Sequence, residues 1–163
     1  MTNTTGTVSR TLGWVLVILM GISVVNVLWQ VFTRFVLSDP SSFTDELARF
    51  LLIWIGLLGA AYAAGSKAPL AIDLLPSKLK GRSRFCMGVA VEICISMFAL
   101  SVLVIGGFSL MGLTLTLGQT SAALHMPIGY IYLALPLSGL LICYYAVRAV
   151  VEHHAKFKAG END

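Results

Sequence analysis

Residues 11–33, TLGWVLVILMGISVVNVLWQVFT, run without a charged side chain. A helix rises about 1.5 Å per residue and the hydrocarbon core of a bilayer is about 30 Å thick, so this stretch predicts a membrane-crossing helix. Three further stretches share its character. Residues 44–66 keep their acids and Arg49 in the first turns, residues 85–113 hold only Glu92, and residues 127–151 are uncharged until Arg148. The uncharged run from Ile93 to Val147 is too long for one span. It breaks where Gly118, Gln119, Thr120 and Ser121 precede His125 and Pro127, because proline suits the first turn of a new helix. The expectation is an all-α integral membrane fold, one domain over 1–163, with four transmembrane helices at about 11–37, 44–66, 85–113 and 127–151.

Composition excludes the soluble classes. Of the 163 residues, 57% are hydrophobic and only 12% charged, where a soluble domain carries about 25% charge; the mean hydropathy is +0.85. Cys86, Cys94 and Cys143 lie in apolar runs, where a thiol acts as a small hydrophobe, and no disulfide framework follows. A formal charge of +3 is too small for a nucleic-acid partner. Phospholipid is the implied surroundings. The first segment does not read as a cleavable signal, since Asn26, Gln30 and Arg34 continue its helical pattern with no small-residue cleavage site.

The basic residues read as topology signals. All of the 11 Lys and Arg residues except Arg34 and Arg49 fall in the two tails or the central loop (Arg10; Lys67, Lys78, Lys80, Arg82, Arg84; Arg148, Lys156, Lys158). Positive charge is retained on the cytoplasmic side, which places both termini and that loop in the cytoplasm. Within the loop, Leu70, Leu74, Leu75 and Leu79 recur at helical spacing while Asp73, Lys78 and Lys80 fall elsewhere. That pattern predicts an amphipathic interfacial helix between spans two and three; an irregular basic loop is the competing reading.

Polar groups inside a bilayer are costly and need partners. Asn26, Gln30 and Arg34, spaced by four, share one stripe of the first helix, and the second helix opens with Asp45 and Glu46 followed by Arg49. A hairpin at Pro40 would bring Arg34 to Asp45 or Glu46, so a structural charge cluster is expected there, with ion or carboxylate binding as the alternative. Glu92 is a buried acid, readable either as a proton carrier in a small homodimeric exporter or as a side chain reaching the interface or a partner subunit. On helix two, Gly56 with Ala60 and Gly59 with Ala63 are small-xxx-small pairs that let a neighbouring helix approach closely. No catalytic residue, metal site or cofactor is expected: no paired histidines suit a haem, and no phosphate loop or nucleophile with its base is evident.

The order and spacing of these residues resemble a known family. Asn26-xxx-Gln30-xxx-Arg34, then Thr44 to Arg49, then Trp54 to Ala61, then Ala71 to Leu75, and finally Gln119 to Leu124 with Pro127 and Pro136, are similar to the small Q-type membrane subunit of tripartite ATP-independent periplasmic (TRAP) transporters. The likeness runs from about Gly21 to Val151. It departs at Phe43 and at Ala68, Pro69 and Leu70, where relatives carry a tryptophan and a basic stretch. The resemblance implies a non-catalytic scaffold in the bacterial inner membrane, bracing a large M-type transport subunit. That larger subunit holds the sodium and substrate sites, and a periplasmic substrate-binding protein delivers a carboxylate-bearing solute such as sialic acid.

Overall fold

The structure, a computed structural model, describes residues 3–37, 41–66 and 82–158. The expected interfacial segment with Leu70, Asp73, Leu74 and Leu75 lies outside them. Helix α1 spans Asn3–Phe35 and α2 spans Ser42–Gly65. The third crossing is composite: α3 at Arg82–Phe98, a π-helical segment at Ala99–Gly106, and α4 at Gly107–Thr116. A short α5, Gly129–Tyr132, precedes α6, Ala134–Lys158. Four stretches are long and apolar enough to cross a membrane: Gly6–Phe35, Ser42–Gly65, Cys86–Thr116 and Gly129–Val151.

Two interruptions have identifiable causes. After Thr116 the chain turns at Gly118, whose φ of 61° is open to glycine at no steric cost. The Gly118 amide donates to Leu115 O and the Gln119 amide to Thr114 O, a Schellman closure of the helix. Pro127 does not itself open the fourth span as expected; it forms an isolated bridge with Thr120, and the helix starts at Gly129. The break between α5 and α6 follows from Pro136, which has no N–H to donate to Tyr132 O four residues back.

The helices form a row. Among the described residues α1 packs on α2, α2 on α6, and α6 on α3 and the π-helical segment, while α1 and α3 do not pack on each other. The core at the chain-terminus end joins Leu12, Leu58, Ala61 and Tyr145. Of the most apolar stretch of each span, 44% is buried in the last crossing and only 6% in the first. Surface this apolar must be covered by acyl chains or by another protein.

The third and fourth crossings approach each other closely. A Cβ on Gly107 would sit 2.8 Å from Leu135 Cβ and Pro136 Cδ, and one on Gly139 would sit 2.8 Å from Leu103 Cβ. Ser138 beside it is fully buried and donates to Leu135 O at 2.8 Å. Cys143 Sγ donates to Ser96 O at 3.6 Å across the same pair.

Candidate subunit interface and loop-end polar cluster

At the end of the row away from the chain termini, polar side chains join three elements. Asn26 is buried on α1, and its Nδ2 donates to Thr44 O on α2 at 2.9 Å. One turn on, Gln30 Nε2 donates to Asp45 Oδ1. Thr44 is buried as well, with its hydroxyl donating to Ser41 O at 2.8 Å. The four-residue spacing of Asn26 and Gln30 thus directs two amides at the start of α2, where a carbonyl and a carboxylate satisfy them.

Glu46 points elsewhere. Its Oε2 accepts from Ser121 Oγ, from the Ala123 amide at 3.1 Å and from the Leu124 amide at 3.4 Å. The turn that offers these donors is held by His125 N to Ser121 O at 3.0 Å and Ser121 N to Met126 O at 2.9 Å, with His125 at φ 52°. Glu46 therefore ties α2 to the loop between α4 and α5. Successive helix residues lie about 100° apart, so Asp45 and Glu46 cannot both face α1.

That geometry corrects the expected charge pair. Arg34 is exposed and forms no ion pair with Asp45 or Glu46, because Gln30 takes the first acid and the 121–124 turn takes the second. Arg49 is exposed too, so the four charges do not close into one cluster. Ser121 and its neighbouring amides were not legible as partners of Glu46; the signal for them is a serine starting a short turn between Gly118 and Pro127. Glu46→Ala is expected to speed amide hydrogen exchange at Ala123 and Leu124 severalfold, and Glu46→Gln, which keeps an acceptor oxygen, to do so less. Equal exchange in the two variants would take the carboxylate out of that turn.

The remaining candidates are spread along the row. Gly56 and Gly59 have nothing within 4 Å of an added Cβ, and Ala60 is exposed, so the small-residue face of α2 looks outward. The buried face of α2 is instead Thr44, Leu51, Leu58 and Ala61. Ala63 and Glu92 are half-buried. Between the end of α1, the start of α2 and the 121–124 turn lies an open groove of about 860 Å³, lined by Trp29, Thr33, Leu37, Phe43, Glu46 and Ala123 among others. Among the described residues no three His, Cys, Asp or Glu side chains converge on one point.

Residues 23–155 match the family described as "Tripartite ATP-independent periplasmic transporters, DctQ component". The chain belongs to this family. The resemblance read from the spacing of Asn26, Gln30, Arg34 and Thr44 to Arg49 therefore holds, and with four crossings the chain is a multi-pass protein of the bacterial inner membrane. It is similar to the isethionate TRAP transporter permease protein DctMQ of Oleidesulfovibrio alaskensis, 34% identical over 99 residues, which cover 60% of this chain and 15% of that one. It is also similar to the sialic acid TRAP transporter small permease protein SiaQ of Vibrio cholerae, 32% identical over 78 residues, covering 48% of this chain and 45% of the relative. In both cases the chain spans less than half of the relative's length. The chain is thus a DctQ component of the tripartite ATP-independent periplasmic transporter family.

Proposed function

We propose that this DctQ-family chain is a non-catalytic scaffold that braces a large M-type subunit in a sodium-coupled importer of organic anions. The two form a heterodimer, with both termini and the basic central loop in the cytoplasm. The observation that supports the brace is the use made of its polar groups. Asn26, Gln30, Asp45 and Glu46 are spent on bonds that join α1, α2 and the 121–124 turn, rather than left open to an ion or solute. Sodium and solute ligands then belong to the large subunit, and the open groove beside Phe43 and Ala123 is the face presented to a periplasmic binding protein. The SiaQ relative supports a carboxylate-bearing solute such as sialic acid, and the DctMQ relative, named for isethionate, supports the wider class of small organic anions.

The test separates bracing from ion handling. In the reconstituted complex, Gln30→Leu combined with Asp45→Asn removes one bond between α1 and α2. The expected result is less assembled complex, with the sodium dependence and the KM for solute of the remaining complex unchanged. A shifted sodium dependence would show that these side chains act in transport directly.

A further inference from the structure

Helix α2 has one face that none of the described residues covers. Its exposed positions Arg49, Leu52, Gly56, Ala60 and Ala64 recur every three or four residues and so form a single stripe. Arg49 lies seven residues past Ser42, about 10 Å along the helix. Among the described residues none pairs with it. The two acids nearest in sequence are engaged elsewhere, Asp45 with Gln30 and Glu46 with the 121–124 turn. A guanidinium stays charged, and at membrane depth it needs an anion.

Below Arg49 the stripe narrows. Leu52 is 70% exposed, and Gly56 has open space where a side chain would be. The other inner helix of the row differs: the exposed positions of α6 include Leu137, Leu140, Val147 and Val151, all large and apolar. Large aliphatic side chains suit lipid, whereas small residues four apart admit a second helix at close range. The DctMQ relative supplies the partner. The 99 residues aligned with this chain make up 15% of one longer polypeptide whose name carries both M and Q, which puts the two portions in one chain.

We infer that Arg49 is one half of an ion pair with a carboxylate of the large M-type subunit, and that a helix of that subunit lies along Leu52, Gly56 and Ala60. The inference rests on the assembly reading above. It is tested on the co-expressed complex with a tag on the small subunit. A photoreactive amino acid at Leu52 is expected to trap the large subunit, and one at Leu140 is not. Arg49→Glu is expected to reduce the co-purified large subunit at least tenfold, while Arg49→Lys retains it. Selection for regained uptake in the Arg49→Glu strain should return acid-to-base replacements in the large subunit. Cross-links from Leu52 to phospholipid or to a second copy, or Arg49→Glu complex at wild-type yield, would overturn the inference while leaving the assembly reading intact. If the wild-type chain itself retained no large subunit, the assembly reading would fail first.

Discussion

Gly139→Leu is expected to break the packing of α6 on the third crossing and to cost the chain more than about 3 kcal/mol of stability, beyond the ~1–3 kcal/mol usual for an overpacked site. A Cβ at this position would already lie 2.8 Å from Leu103 Cβ, 2.9 Å from Val104 Cγ2 and 3.2 Å from Ala99 O. Two of these three atoms, Leu103 Cβ and Ala99 O, are backbone or directly attached to it, so no side-chain rotation relieves the contact. Gly107 faces Leu135 and Pro136 from the other helix in the same way, which leaves the pair no room to slide apart locally. The measurement is the unfolding midpoint of the purified chain in bicelles. Gly56→Leu is the control, because open space surrounds that position and the isolated chain should lose less than about 1 kcal/mol. Equal shifts for the two variants would mean that the close approach at Gly139 is absent.

The contrast between these glycines shows what the sequence could and could not reveal. Length and hydropathy located all four crossings, because the bilayer dictates how many apolar residues a span needs. The four-residue spacing of Asn26 and Gln30 put them on one stripe, since a helix aligns such residues, and in the structure both donate to the start of α2. Which small residues meet a neighbour depends on how whole helices are arranged, and spacing within one helix does not encode that. Gly56 with Ala60 reads as a face for a neighbouring helix and looks outward, while Gly107 and Gly139, without that four-residue pairing, make close contacts between crossings three and four. The π-helical segment Ala99–Gly106 was likewise invisible in hydropathy. Ser101, whose hydroxyl donates back to Met97 O at 2.8 Å, is a local feature that perturbs the regular ladder there. Asp45 and Glu46 were legible as a pair of acids but not as opposed in direction. The relevant fact is the 100° step between consecutive helix residues, which sends one to Gln30 and the other to Ser121.

Proteoliposomes holding the large subunit alone are expected to show no solute uptake above background, and adding this chain is expected to restore it. The physical reason is mechanical. If the transport domain of the large subunit slides within the bilayer, the force that moves it must be resisted by a scaffold that does not move with it. A row of four crossings with α1 and α3 at its two ends would add width to that scaffold. Its own helices are held in register by Asn26, Gln30 and Glu46 at one end and by the Leu12, Leu58, Ala61 and Tyr145 core at the other. On this account the loss is in rate of transport, and solute affinity measured on the large subunit should survive removal of the small one. Glu92→Gln in the assembled transporter should then leave uptake within about twofold of wild type, since a side chain of the brace carries no proton for the cycle. Uptake abolished by Glu92→Gln with assembly intact would transfer the chemistry to this chain and favour a proton-coupled role for its half-buried acid; normal uptake by the large subunit alone would remove the need for a brace altogether.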